Sequence, residues 1–346
     1  MQSIYDLTYE KLQEVFIENS MKKYRADQCF KWLYRKLASS FDVMSDLSKA
    51  DISFLKENYY INTLELVDKQ IAKDDTTKYL FKLNDDALIE TVLMHYPFGK
   101  VVCVTSQVGC NMGCLFCASG LLKKQRNLTS GEMVAQIMYV SKELSEIDER
   151  VRNVVVMGTG EPFDNYDNVM DFCKIINHDK GLAIGSRRIT ISTCGLADKI
   201  YKFADEQVQY NLAISLHASN DKLRSKLMPV NKAYPLEELF KALRYYSERN
   251  NRRLTFEYIL LKGVNDSYED ALELSKLLKG INALVNLIPY NQVDELEFKS
   301  TDDKTALKFY DWLYKNNVNV TLRVKHGDDI DAACGQLRAK HERDSA

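Results

Sequence analysis

Long apolar runs are missing from this chain. No stretch approaches the ~18 residues that a membrane span requires, so none is expected. Proline and glycine are scarce, 5 and 14 among 346 residues, which excludes collagen-like and low-complexity architectures. Neither charge is in surplus, since 47 Lys and Arg face 49 Asp and Glu for a net charge of −2. That balance neither demands nor forbids a nucleic-acid partner, because a basic face can stand opposite an acidic one. The opening residues, Met1-Gln2-Ser3-Ile4-Tyr5-Asp6, have no basic n-region and no apolar h-region, so a cytoplasmic location is expected. Eight cysteines in such a reducing compartment are not expected to form structural disulfides. What is present is an ordinary globular composition, 45% hydrophobic and 28% charged. The length suits roughly two domains, or one barrel with an appendage.

The first sixty residues read as a helical module, with Leu12, Val15 and Phe16 on one face and Cys29, Trp32 and Leu33 on another. Strand-like runs follow at 79–83 and 89–94. From about residue 100, short β-branched runs recur at 101–105, 154–157, 189–192, 212–215, 254–259, 285–288 and 318–322. Helical stretches separate them, one opened by a capping box, Thr129-Ser130-Gly131-Glu132. Strand–helix alternation implies a parallel sheet, so the expected fold class is α/β, a partial (β/α)6-type barrel with a small N-terminal helical domain. The expected organisation is a helical unit over 1–65, a β-hairpin-like connector over 66–98, the barrel over 99–337 and a loose polar tail over 338–346.

Three of the eight cysteines crowd together in Cys110-Asn111-Met112-Gly113-Cys114-Leu115-Phe116-Cys117. Three thiolates on one short loop suit a soft metal centre, iron–sulfur or zinc, and Gly109 and Gly113 let the backbone fold closely around it. Three ligands leave a fourth position open, as catalytic sites do. Packing cysteines, a zinc site completed by histidine, and an iron–sulfur cluster with one open iron are the available readings, and the density favours the last. Gly158-x-Gly160 is not a dinucleotide fingerprint, because Phe163 occupies the third glycine position. Gly160 and Glu161 follow the second barrel strand, Ser192 ends the third, Ser215, Leu216 and His217 end the fourth, and Asn291 lies beyond the sixth. Those are C-terminal strand ends, where barrel enzymes build their sites. Taken singly, Ser192 suits a buried strand serine and His217 a core histidine. Cys103 and Cys334 alone suit small buried hydrophobes, Glu90 an outward-facing strand carboxylate, and Cys29, Cys173 and Cys194 packing. Lys123, Lys124 and Arg126, close to the cysteine loop, offer phosphate contacts or a solvated face.

The chain resembles the RlmN/Cfr family of radical S-adenosylmethionine RNA adenine methyltransferases. The likeness is carried by Cys103-Val104-Thr105-Ser106-Gln107-Val108-Gly109-Cys110 and by Gly327-Asp328-Asp329-Ile330-Asp331-Ala332-Ala333-Cys334-Gly335-Gln336-Leu337. Between them lie Gly158-Thr159-Gly160-Glu161-Pro162, Ser192-Thr193, Ser215-Leu216-His217 and Asn286-Leu287-Ile288-Pro289. It runs over nearly the whole chain. Pro162 and Val108 resemble the branch that methylates adenine C2; the resistance-conferring branch, acting at C8, tends to carry alanine and cysteine there. Thr159 departs from the methionine common in the family.

The resemblance implies a radical S-adenosylmethionine barrel with a 4Fe-4S cluster on Cys110, Cys114 and Cys117. It implies S-adenosylmethionine, two molecules per turnover, held by Gly160, Glu161, Ser192, Ser215, Leu216, His217 and Asn291. Cys334 would take a methyl group, which is activated by hydrogen abstraction and added to adenine C2. Cys103 would then attack the Cys334 sulfur and leave a transient disulfide. Glu90 is implied as proton acceptor, a duty for which Cys103 competes. The division has a chemical reason: C2 is flanked by two ring nitrogens and too electron-poor to attack a sulfonium, whereas a thiolate can. The implied partners are 23S rRNA and tRNA, with the adenine outside its stack, and a flavodoxin- or ferredoxin-type electron donor. A monomer with an RNA-binding unit over 1–65 is expected. The alternative of another class is a non-catalytic iron–sulfur RNA-binding or sensor protein, which would have no use for Cys334.

Overall fold

The computed structural model describes residues 1–293, 295–323, 330–331 and 334–344. Asp328, Asp329, Ala332 and Ala333 of the Cys334 motif lie outside the described residues, as does Gly327.

Apolar residues at helical spacing build the N-terminal unit from α1 (Tyr9–Glu18), α2 (Lys23–Tyr34) and α3 (Lys49–Asn58). Thr8 caps α1 by accepting from the Lys11 N–H at 3.3 Å, and Ser48 with Asp51 forms a capping box on α3. Leu12 and Phe16 of α1 and Cys29, Phe30 and Leu33 of α2 are buried, with Val15 and Trp32 half-buried beside them. The unit leans on the rest of the chain through Tyr9, whose ring centroid lies 4.1 Å from that of His178. Lys180 adds bonds of 2.6 Å to the Tyr9 hydroxyl and to the Asp27 carboxylate.

One ten-stranded sheet dominates the remainder, and its strand order follows the chain. β1 (Glu65–Ile71), β2 (Thr77–Lys82), β3 (Leu88–Tyr96) and β4 (Gly99–Cys103) pair antiparallel in succession. From β4 onward each neighbour is parallel: β5 (Val151–Val156), β6 (Ile189–Thr193), β7 (Asn211–Ser215), β8 (Leu254–Leu260), β9 (Ala283–Pro289) and β10 (Val320–Leu322). Parallel neighbours need crossovers. These are α4 (Ser130–Ser145), α5 (Tyr166–Asn177), α6 (Ala197–Asp205), α7 (Asp221–Leu227) with α8 (Leu236–Arg249), α9 (Tyr268–Leu277) and α10 (Asp303–Lys315). The Thr129–Glu132 capping box opens α4 as its sequence indicates. Six strand–helix units therefore stand in a row. Among the described residues β1 and β10 are the free edges, so the barrel is partial.

Residues along the parallel strands divide by face. Val154, Ile191, Ile214 and Phe256 are fully buried in the main core with the helices, while Val155, Ser192, Ser215 and Glu257 line a cavity. Residues 66–96 are not a free-standing hairpin, because β3 pairs with β4 and continues the barrel sheet. The polar tail also differs from the expectation. Gln336–Asp344 forms α11 with Leu337 and Arg338 buried, because distant side chains hold its first turn.

Candidate active site

β4 ends at Cys103, and the chain turns directly into the cysteine loop. The two-residue strands Gln107–Val108 and Arg126–Asn127 pair antiparallel and close its base. The Cys110 N–H donates to the Leu122 carbonyl at 2.9 Å, and the Gln125 N–H to the Val108 carbonyl at 2.7 Å. Gly109 stands at φ +80°, and a Cβ there would lie 2.2 Å from the Lys123 carbonyl oxygen; only glycine permits that approach. The Leu115 N–H reaches the Leu227 carbonyl at 2.9 Å and ties the loop to α7. Held this way, Cys110, Cys114 and Cys117 line one cavity of about 360 Å³ at the C-terminal ends of the parallel strands.

All three are half-buried free thiols. Burial pushes each of them up, and the neighbouring Cys117 and Cys110 add to the effect on Cys114. A bound soft metal reverses that preference by taking the thiolate form. A cluster takes its thiolates on separate irons, so the donor set on this loop fits it.

The strand ends supply the opposite wall. Gly160, Glu161, Ser192, Ser215, His217 and Asn291 line the same cavity. Leu216 does not; its side chain is buried in the main core. Glu161 accepts the Phe163 N–H at 3.0 Å and the Cys194 N–H at 2.8 Å, and burial raises its carboxyl pKa. The Ser192 and Ser215 hydroxyls are 3.4 Å apart. His217, at φ +57°, accepts the Ile259 N–H on Nδ1 at 3.1 Å, which places the proton of the neutral ring on Nε2. Burial, aided by Arg224, pushes its pKa down to about 3, so the ring is neutral at physiological pH.

Some residues of the site carried no recognisable signal. Cys194, read as packing, lines the cavity, as do Glu257 and Arg323. Ser215, Glu257, Asn286 and Thr321 are register partners across four adjacent strands. Asn286 donates to Glu257 at 2.8 Å and Thr321 to Asn286 at 3.1 Å, so they form a polar row along the barrel. Behind the wall, Arg224 is fully buried and donates to the Cys194 carbonyl at 2.6 Å and to Asn231 at 2.8 Å. It also reaches the Leu216 and Ser215 carbonyls at 3.2 and 3.3 Å.

Cys103 and Cys334, far apart in the chain, both line this cavity. The Cys334 thiol donates to the Met157 carbonyl at 3.5 Å, and its own carbonyl accepts from Ser119 at 3.1 Å. Burial, with Cys334 nearby, pushes the Cys103 thiol up to about 12; burial, with Cys117 nearby, pushes Cys334 up to about 11. Both are free thiols in this structure.

Glu90 is buried beside this region but does not line the cavity. The three basic residues near the loop differ in their surroundings. Lys123 is exposed, whereas Lys124 pairs with Asp164 at 2.6 Å. Arg126 is bidentate to both Asp85 (2.7 and 3.0 Å) and Glu132 (2.8 Å twice). Those two charges are already matched by carboxylates.

Comparison with known proteins agrees with this geometry. Residues 104–275 match the Radical SAM superfamily, and residues 2–61 match the ribosomal RNA large subunit methyltransferase N-terminal domain. A probable dual-specificity RNA methyltransferase RlmN of Listeria welshimeri is 57% identical over 343 residues, covering 98% of this chain and 94% of that protein. Its counterpart in Streptococcus pneumoniae serotype 4 is 56% identical over 342 residues, covering 97% and 95%. The crystal structure of a radical SAM methyltransferase from Sphaerobacter thermophilus superposes with a TM-score of 0.92 at 43% identity, covering 97% of this chain and 99% of that one. A barrel open at one side, three thiols on the loop after its first strand and likeness over the full chain lead to one assignment: the chain belongs to the RlmN family of radical S-adenosylmethionine methyltransferases.

Proposed function

We propose that this protein methylates C2 of an adenosine in 23S rRNA and in tRNA, with Cys334 as methyl carrier and Cys103 as the resolving thiol. The observation that carries the reading is the convergence of these two distant cysteines on the cavity lined by Cys110, Cys114 and Cys117. A sensor without turnover has no use for that meeting.

Cys110, Cys114 and Cys117 would hold a 4Fe-4S cluster, which together with S-adenosylmethionine supplies one-electron cleavage chemistry and the methyl group. The protein's own residues do the rest. Glu161, Ser192, Ser215, His217 and Asn291 offer a carboxylate, hydroxyls, a neutral imidazole and an amide. Those groups suit the amino, carboxylate and ribose parts of S-adenosylmethionine. Gly160 leaves backbone room beside them, and Leu216 holds Ser215 and His217 in place through its main chain, bonded to Glu257 and Arg224. Cys334 accepts the methyl group as a thiolate. After that methyl group has given up one hydrogen atom, its carbon would bond to adenine C2, whose own hydrogen leaves as a proton while one electron passes to a one-electron acceptor. Cys103 then attacks the Cys334 sulfur: the S–S bond forms, the C–S bond breaks, and its electron pair and a proton complete the product methyl. A reductant then restores both thiols.

The N-terminal unit over 1–65 and the exposed Lys123 are the proposed RNA contacts, with a flavodoxin- or ferredoxin-type protein as electron donor. Pro162 and Val108 favour C2 over C8. Mass spectrometry of rRNA and tRNA from a strain lacking this protein tests the reading. Loss of 2-methyladenosine from both supports it; loss of the 8-methyl isomer, or no loss, overturns it.

A further inference from the structure

Among the described residues the ion pair with least exposure joins Lys78 of β2 to Glu90 of β3, at 3.1 Å and with side-chain exposures of 0% and 4%. Taking two charges out of water is costly, and the apolar strands around them need neither. Their contacts show what they serve. Glu90 Oε2 accepts the Gly335 N–H at 2.6 Å and Oε1 accepts the Arg338 N–H at 2.8 Å. Those amides belong to the residue directly after Cys334 and to the first turn of α11, where a carboxylate is favoured by the helix dipole. Lys78 Nζ donates to the Asp331 carbonyl. From β1, Gln70 donates to the Asp331 carboxylate and accepts the Asp331 N–H, both at 3.1 Å. Gly335, at φ +83°, lies so near Ser119 that a Cβ would sit 3.0 Å from its Cα. Side chains from β1, β2 and β3 thus grip the chain on both sides of Cys334.

We infer that Glu90 is a positioning residue: with Lys78 it pins the segment on either side of Cys334 so that the thiol stands at the cavity. Removal of the adenine proton is not its task. Both of its oxygens already accept backbone N–H groups, and it does not line the cavity. This gives the antiparallel extension of the sheet a function, as the cradle of the cysteine-bearing segment. The inference rests on the reading of Cys334 as methyl carrier.

The test uses cluster-loaded protein without RNA. Glu90→Gln keeps the side-chain shape but replaces one acceptor by an amide donor; Lys78→Met/Glu90→Gln removes both charges. Two quantities are read by peptide mass spectrometry: the alkylation rate of Cys334 by iodoacetamide, and its methylation on adding S-adenosylmethionine and reductant. Loss of a charge-assisted bond should speed alkylation roughly tenfold and slow methylation by a similar factor, and the double variant should restore neither. Wild-type alkylation and methylation in Glu90→Gln, the pattern a late proton acceptor would give, overturns the inference. So does full recovery in the double variant, which would reduce Glu90 to a counter-charge. Should Glu90→Gln not fold, Gln70→Ala carries the test, with alkylation expected roughly threefold faster and no change overturning it. If wild-type Cys334 gains no methyl, the carrier reading fails, and the alkylation rates still decide the pin.

Discussion

Replacing Arg224 by Met offers a quantitative test of how the site is built. The guanidinium is fully buried and donates to three backbone carbonyls, of Cys194, Ser215 and Leu216, and to Asn231. Two of these carbonyls follow β6 and β7 directly, so one side chain fixes the relative height of two cavity walls. Hydrogen bonds to a charged group contribute ~1.5–3 kcal/mol each, but burying the cation offsets much of the sum. Met fills similar space and leaves four acceptors without their donor, for a net loss of ~3–5 kcal/mol. At about 2.1 cal/mol/K of unfolding entropy per residue, a chain of 346 residues shifts by roughly 1.4 °C per kcal/mol, so the Tm should fall by roughly 4–7 °C. Arg224→Lys should fall between, because an ammonium cannot span the same four acceptors. Calorimetry gives the Tm, and equilibrium dialysis of cluster-loaded protein should show weaker S-adenosylmethionine binding. A Met variant with wild-type Tm and affinity would refute the reasoning.

Other expectations follow from the same geometry. Cys114→Ala removes one of three thiolates, so anaerobically reconstituted protein should lose the brown cluster absorbance and all S-adenosylmethionine cleavage; retention of both contradicts the assignment. Burial holds Cys103 well above an ordinary thiol, from 9.0 up to about 12. Its alkylation should therefore keep rising about tenfold per pH unit beyond the point where a free thiol levels off; a plateau near 9 would be the wrong outcome. The same shift makes the folded state hold a proton that the unfolded chain releases, so stability should fall as pH rises from 9 toward 12. Lys123→Ala should lower the log–log salt slope of RNA binding by about one unit or less. Arg126→Ala should cost stability instead, since its charge is spent on Asp85 and Glu132; a large loss of RNA affinity without a Tm change would reverse that view.

The barrel was legible because its parallel strands read as short, largely apolar or β-branched runs, as in Ile189–Thr193, where four of five residues are buried. β1 was not, since an edge strand with Glu65, Asp68 and Lys69 exposed or half-exposed carries no apolar alternation. α11 was hidden for a different reason. Its own residues are polar, and its first turn is held by Glu90, far away in the sequence. The cluster cysteines announced themselves by spacing, and the strand-end positions of Glu161, Ser192 and His217 by topology. Glu257 looked like any lone strand carboxylate. The meeting of Cys103 with Cys334 depends on how β1–β3 cradle the chain end, which local pattern does not encode. The basic run near the loop gave no sign of its partners, because the carboxylates of Asp85, Glu132 and Asp164 reach it from other elements.

The central claim, that Cys334 carries the methyl group and Cys103 resolves it, is tested most directly by a denaturing gel with mass spectrometry. Cluster-loaded Cys103→Ala protein is incubated with RNA, S-adenosylmethionine and reductant. With no thiol to break the carbon–sulfur bond, it should accumulate protein joined to RNA through Cys334, and that band should be absent from Cys334→Ala and from the double variant. Free methylated RNA from either single variant, the outcome expected if both cysteines merely pack and Ala replaces them closely, would contradict the account.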